Sequence, residues 1–323
     1  MSVTVVRFNL AEPGATPASL SARYRAALEM AAYADEHGVT TLQTEEHHGA
    51  DDNWLPSPFA LAGALLGATR RIVVTVAAAI GPLHDPLRLA EEIAVLDLLS
   101  GGRLVTVAGI GYRREEYALF GVDWRRRGRL QDELLETLLK AWTGEEFGYR
   151  GRTVRLTPRP CTEPHPPLLV GGSSRAAARR AARLGLPFLP SAHLPELAAY
   201  YEERLAEHGT EGRVLMPAAE SPLLHVAEDP ERVWAEYGRH FLHEARTYAS
   251  WQPDGTGSAV RSAATTVAEL RAEGVYRVLT PEQCVGLRLE SLVLHPLVGG
   301  MPPAEGWRSL RLFAERVVPA LRG

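Results

Sequence analysis

Short apolar runs alternate with longer amphipathic segments along the whole chain, and few folds accept that order. Val3–Phe8, Val39–Thr44, Ile72–Ile80, Arg103–Gly109, Pro167–Val170, Leu186–Pro190, Leu223–Ala227 and Ser291–His295 have the length and composition of strands. Between the first two, Leu20, Tyr24, Ala27, Leu28, Ala31 and Ala34 recur at helical spacing within Ser19–His37, and Gly38 ends the pattern. Further helices are predicted over Ser57–Thr69, Pro86–Leu99, Arg113–Phe120, Arg125–Trp142, Ser174–Leu184, Pro195–His208, Pro230–Tyr248, around Thr266–Glu273, and over Glu305–Leu321. Ile72–Ile80 is too apolar for a strand with one solvated face, as expected of a parallel strand covered on both sides. Strict strand-then-helix order implies parallel pairing and right-handed crossovers, and eight such units predict an α/β chain closed into a single (β/α)8 TIM barrel over residues 1–323. Insertions follow strands four and seven: residues 143–166, a Pro-, Arg- and Gly-rich loop or small hairpin, and a second, weakly patterned stretch at 246–264. Both are expected to act as lids over the C-terminal strand ends. A doubly wound open sheet is the competing arrangement, but Gly109-Ile-Gly111 lacks the third glycine of a dinucleotide fingerprint.

Composition narrows the chemistry. A net charge of −4 from 35 basic and 39 acidic residues gives no electrostatic pull toward nucleic acid or a membrane surface. Only Lys140 among the bases is lysine, and it falls inside a helical pattern, a poor position for a Schiff base or a modified-lysine metal bridge. Cys161 and Cys284 are far apart with no paired spacing, which predicts a reduced, cytoplasmic protein without a zinc knuckle. The first residues do not read as a signal peptide, and no apolar run is long enough for a membrane span.

Catalytic groups of such a barrel belong at its C-terminal strand ends. Strand two is followed by Glu45-Glu46-His47-His48, strand three closes on Ala77-Ala78-Ala79 with His84-Asp85 beyond, and strand four closes on Gly109-Ile110-Gly111. Strand five leads into Gly171-Gly172-Ser173-Ser174-Arg175, strand six into Ser191-Ala192-His193, and strand eight into His295-Pro296. Several rim histidines are compatible with a metal-dependent hydrolase, but consecutive side chains at a strand end alternate in direction and do not converge on one ion. No metal ligand is therefore assigned. The glycine–serine segment suits an anion, because backbone N–H groups, hydroxyls and the start of a helix converge there; a plain turn with Ser173 or Ser174 as helix N-cap is the competing explanation. Gly109, Gly111 and the alanines read either as close-packing residues or as the floor of a slot for a flat ring.

In combination, Thr44-Glu-Glu-His-His48, Leu65-Leu-Gly-Ala-Thr69, Ile72–Ala78, Arg88-Leu-Ala-Glu-Glu92 with Leu96-Asp97, Ser100-Gly-Gly-Arg103, Phe120-Gly121, Gly171–Ser174 and His295-Pro-Leu-Val-Gly-Gly300 resemble the bacterial luciferase-like superfamily of flavin- or deazaflavin-dependent oxidoreductases. The likeness is dense over residues 1–190 and looser beyond. It implies that His47 is the acid/base beside the flavin ring, with a rim histidine paired to Glu46 as the plainer alternative. It also implies a non-proline cis peptide at Ala77–Ala78 under the ring, and a phosphate loop at Gly171, Gly172, Ser173 and Ser174. Luciferases proper carry a reactive cysteine and a phosphate-binding arginine at places that fall here on Gly109 and Ile110, which argues against light emission and leaves Arg175 or Arg113 to neutralise a phosphate.

The resemblance implies a monooxygenase that uses reduced FMN and oxygen on a small organic substrate. A separate flavin reductase is expected, since no nicotinamide domain is recognisable. The alternatives are hydride transfer with the deazaflavin coenzyme F420, for which Gly111-Tyr-Arg-Arg-Glu-Glu116 is equally suitable, a non-catalytic flavin-binding subunit, and the metal-dependent hydrolase. It further implies a homodimer formed through the helices Ser57–Thr69 and Pro86–Leu99.

Overall fold

The computed structural model describes residues 2–252 and 260–322. The chain runs through β1 (Val3–Phe8), α1 (Pro17–Glu36), β2 (Thr41–Thr44), α2 (Pro58–Ala68), β3 (Val73–Ile80), α3 (Pro86–Ser100), β4 (Leu104–Gly109), α4 (Arg114–Leu119) and α5 (Arg127–Ala141). A short hairpin, β5 (Phe147–Tyr149) and β6 (Arg152–Val154), precedes β7 (Leu168–Gly171), α6 (Arg175–Arg183), β8 (Phe188–Leu189) and α7 (Pro195–His208). Then come β9 (Leu223–Val226), α8 (Pro230–Trp251), α9 (Val267–Glu273), β10 (Tyr276–Leu279), α10 (Pro281–Gly286), β11 (Ser291–Leu294) and α11 (Pro303–Leu312).

Contacts divide these elements into two compact units. The first comprises Met1–Pro56, Ala68–Ile72 and Pro217–Gly323, and its strands run in the order β10-β9-β11-β1-β2, all parallel. The second comprises Ser57–Gly67 and Val73–Met216, with β3-β4-β7-β8 parallel and the β5–β6 hairpin antiparallel. The parallel α/β class expected from the alternation is therefore present in both.

Local chemistry explains the element ends. Asp85 caps α3 by accepting from the N–H groups of Leu87 and Arg88, Pro86 fills the first helical position, and Gly101 at φ +65° closes the last turn. Asp35 at the end of α1 accepts from the backbone of Arg70, Arg71 and Ile72, tying the approach to β3 down through one buried carboxylate. In the first unit α8 buries Val233, Trp234, Phe241 and Ala245 against Leu223, Leu270, Tyr276 and Val278. The larger of these side chains, such as Val233, Phe241, Leu223 and Leu270, each contribute about 1.5–3 kcal/mol on burial, which is enough to hold a long helix in one place.

One correction to the expected order follows. Among the described residues there is a ninth parallel strand, β10, which pairs with β9 from Tyr276↔Leu223 to Leu279↔Val226. It has only four residues, and Arg277 sits in its middle, facing Glu220 at 3.0 Å, so its apolar signal is two residues long. Residues 143–166 contain the small hairpin, one of the two forms expected there. Of the other expected lid, α8 extends to Trp251, three residues beyond its predicted end, while residues 253–259 lie outside the described residues.

Candidate functional site

In the first unit, β2 ends at Thr44 and the next four residues continue without regular hydrogen bonding, so successive side chains diverge. Glu45 meets Arg7, whereas Glu46 meets His48, with Nε2 2.8 Å from Oε1. His47 is buried, and its backbone N–H donates to the Leu55 carbonyl at 3.1 Å. Its ring lies among Trp54, Tyr248 and Trp251, with centroids at 5.6, 6.2 and 4.7 Å. Trp54 and Tyr248 themselves meet edge-on at 4.9 Å. A histidine with three aromatic walls is shielded from water while remaining at a strand end, the setting in which a proton carrier is useful.

Beneath this cage is a buried charge cluster. Arg7, near the end of β1, donates from Nε and Nη2 to the two oxygens of Glu45, from Nη2 to the Tyr248 hydroxyl at 2.8 Å, and from Nη1 to Glu244 at 3.0 Å. The Tyr248 hydroxyl donates to Glu45. Glu244, fully buried on α8, also accepts from Tyr276 at 3.1 Å, Asn9 at 2.7 Å and His295 at 3.0 Å. Burial alone would raise the Glu244 carboxyl, but His295 and Arg7, with hydrogen bonds from His295 and Asn9, outweigh it and hold it far below the usual carboxylate range. Arg7 is driven the other way, its burial outweighed by Glu45, Tyr248 and Glu244, so it stays cationic.

In the second unit the C-terminal ends of β3, β4 and β7 lie side by side. The Ala77–Ala78 peptide is cis, the geometry the resemblance implies at that place. Next to it the strand ends carry small residues that pack closely. A Cβ on Gly109 would stand 3.1 Å from the Ala78 Cβ, one on Gly111 2.9 Å from Ile80 Cγ2, and one on Gly171 2.8 Å from Val107 Cγ1. Gly111 has φ +64° and Gly172 φ +145°, conformations that favour glycine. Ser173 and Ser174 are exposed at the start of α6, where the Ser174 hydroxyl accepts from the Ala177 N–H at 3.3 Å. Ser174 is thus the helix N-cap and the Gly172 N–H is held by the Leu189 carbonyl at 3.2 Å, which leaves the Ser173 hydroxyl and the amides of residues 173–175 for an anion. Of the two arginines considered for a phosphate, Arg113 is buried with Nη1 3.2 Å from Glu116, while Arg175 is exposed directly after the serines, its guanidinium over the Tyr200 ring at 5.2 Å. Each of these Cβ positions falls against a neighbouring side chain, so the glycines pack closely here, while the Ser173 hydroxyl, the amides entering α6 and the exposed Arg175 are donors that suit the phosphate of an FMN-type cofactor.

His47 therefore falls in the first unit and the eight slot residues in the second. Reading the strand ends did not single out Arg7, Glu244, Tyr248, Trp54 or Trp251. One signal was present for Arg7, a lone charge in the otherwise uncharged run Val3–Phe8. Glu244 offered none, because a single glutamate in an amphipathic helix ordinarily faces water. Among the described residues, no group of three or more His, Cys, Asp or Glu side chains is gathered as for a metal ion, and no helix is long and apolar enough to cross a membrane.

Comparison with known proteins bears on the fold and the family. Along 99% of both chains the fold matches the monooxygenase RslO1 from Streptomyces bottropensis, at 25% identity and a TM-score of 0.77. An F420-dependent secondary alcohol dehydrogenase shares the fold over 100% of this chain and 99% of its own, at 18% identity and a TM-score of 0.69. The fold class is that of the luciferase-like TIM-barrel enzymes. The family model described as luciferase-like monooxygenase matches residues 2–286, and the chain belongs to that family. Among curated relatives, the FMNH2-dependent dimethylsulfone monooxygenase of Pseudomonas putida is 31% identical over 157 residues, 46% of this chain and 42% of that protein. The matched stretch thus spans less than half of that relative's length.

Proposed function

We propose that this protein is a flavin-dependent monooxygenase that takes reduced FMN from a separate reductase and acts with oxygen on a small organic substrate. The observation that carries the proposal is the set of small residues at the strand ends, the cis Ala77–Ala78 pair, Gly109, Gly111 and Gly171–Gly172, leading to the exposed Ser173, Ser174 and Arg175. In this reading Ala77, Ala78, Gly109 and Gly111 support the ring, while Gly171, Gly172, Ser173 and the amides leading into α6 bind the phosphate, with Arg175 supplying charge. Ser174 contributes by holding the helix start in place. Bound reduced FMN supplies the electrons that activate oxygen. His47 holds and releases a proton at its imidazole nitrogens, with Trp54, Tyr248 and Trp251 excluding water from the ring.

Support for the FMN assignment comes from the FMNH2-dependent relative, and support for a partner reductase from the absence of a nicotinamide fingerprint in the sequence. F420 is the second cofactor that the shared fold accommodates. We also infer a homodimer through α2 and α3. Val95, Leu98 and Leu99 are 50%, 44% and 62% exposed on α3, and α2 adds exposed Ala60, Ala64 and Gly67 without one charged residue. The catalytic assignment is tested by His47→Ala. Turnover with reduced FMN should fall about 100-fold or more while FMN affinity stays within about threefold, in the range of a lost general acid/base. Turnover that survives the substitution would overturn the role of His47.

A further inference from the structure

We propose that Glu244 is a positioning residue for His47, acting through Arg7 and Tyr248. The proposal rests on the reading of His47 given above and extends it to a helix that the strand ends do not reveal.

A carboxylate with no solvent contact is costly to bury unless every lone pair is engaged. Glu244 meets that condition: Oε1 accepts from Arg7 Nη1 at 3.0 Å and Tyr276 at 3.1 Å, and Oε2 from Asn9 at 2.7 Å and His295 Nε2 at 3.0 Å. Those donors come from distinct places: Arg7 and Asn9 from the end of β1, His295 from just beyond β11, and Tyr276 from the first residue of β10. One helical side chain therefore holds α8 to three strands. An apolar residue of the same volume would hold the helix there without fixing its rotation; directional bonds to four donors do both.

Rotation matters because of what lies along the same face. Tyr248 is one helical turn beyond Glu244 and Trp251 almost two, so the three share one stripe of α8. Arg7 closes the loop: it binds Glu244 with Nη1, and with its remaining nitrogens it binds Glu45 and the Tyr248 hydroxyl. Tyr248 is consequently fixed at its hydroxyl by charged partners, while its ring packs against Trp54 and lies 6.2 Å from His47. Trp251 stands 4.7 Å from the His47 ring. Two of the three aromatic walls of His47 are thus set by the angle of α8, and that angle is set at Glu244.

Glu244→Gln preserves size but turns an amide N–H2 toward either Arg7 and Tyr276 or Asn9 and His295, so the bond to Arg7 or Asn9 is lost, its neighbour must reverse, and Arg7 faces only one carboxylate. We expect kcat with reduced FMN to fall at least 10-fold with KM changed less than threefold. The readout independent of turnover is the imidazole NMR signal of His47 in cofactor-free, 15N-histidine-labelled protein, assigned by its disappearance in His47→Asn. That signal should move in Glu244→Gln and return toward its original place in Glu244→Asp, which restores the charge. Should Glu244→Gln fail to fold, Tyr248→Phe, which removes only the hydroxyl, should move the same signal and lower kcat at least threefold. An unmoved His47 signal with kcat within twofold of the parent, in Glu244→Gln or in Tyr248→Phe, overturns the proposal. Full turnover in His47→Ala would instead overturn the underlying assignment of His47, so the two failures are distinguishable.

Discussion

Replacing Gly172 by alanine probes the phosphate loop with a single methyl group. Gly172 has φ +145°, a backbone conformation that side chains rarely adopt, and a Cβ there would stand 3.0 Å from the Cβ of Ala177. Holding a non-glycine residue in that conformation costs about 1–3 kcal/mol. The loop can relieve this only by moving, and Ala177 is the residue whose N–H reaches the Ser174 cap at 3.3 Å, so the start of α6 must move with it. If the loop amides bind the cofactor phosphate, the same free energy appears in binding, as a rise in Kd of about 5- to 150-fold. The assay is an equilibrium fluorescence titration with FMN on the parent, Gly172→Ala and Gly14→Ala. Gly14 has φ +68° with nothing within 4 Å of a Cβ, and it controls for strain away from the loop. FMN affinity within twofold of the parent in Gly172→Ala, or an equal loss in both variants, would refute the reasoning.

Further expectations concern assembly and pH. Introducing Leu98→Glu and Leu99→Glu on α3 should halve the mass seen by light scattering, because two buried charges at a dimer contact are unpaired; an unchanged dimer would place the interface elsewhere. Burial pushes the His225 imidazole below its ordinary 6.5, against Glu305, so the unfolded chain binds that proton more readily. Its contribution to stability is complete above pH 6.5 and lost as the pH falls, at up to about 1.4 kcal/mol per pH unit, and His225→Gln should flatten that slope in urea unfolding. Glu305 is held down at about 2 by His225, 3.9 Å away and so electrostatic in character, and by Arg308 and Arg232 at 2.9 Å, against the opposing effect of burial. Its stabilisation is present above about pH 4.5 and lost toward pH 2, and amounts to about 1–2 kcal/mol once screening at the exposed Arg308 is allowed for. A Glu305→Gln variant that loses stability equally at pH 2 and pH 7 would contradict this.

The fold was legible where the hydrophobic period was long. Ile72–Ile80 and Pro86–Leu99 could be placed within a residue or so, because eight apolar residues or a proline–glycine bracket leave little choice. The strand Tyr276–Leu279 was not legible, since Arg277 breaks a pattern only four residues long and its pairing with β9 is a tertiary fact. The same division runs through the candidate site. His47 and the glycines stand at strand ends, where the topology alone raises suspicion. Glu244 and Tyr248 come from a helix some 200 residues later, and only the folded chain brings them to Arg7 and Glu45, across sequence separations of 237 and 203 residues. Ser174 shows the limit from the other side: as helix cap and as phosphate ligand it presents the same residue at the same position, and only its bond to Ala177 distinguishes the first role.

The most direct test of the proposed function titrates the purified protein with reduced FMN and with reduced F420, and follows binding and oxygen uptake together. The account predicts saturable binding of reduced FMN, oxygen consumption sustained by an added flavin reductase, and loss of that consumption in His47→Ala. Saturable F420 binding, with no FMN binding and no oxygen uptake, would contradict it.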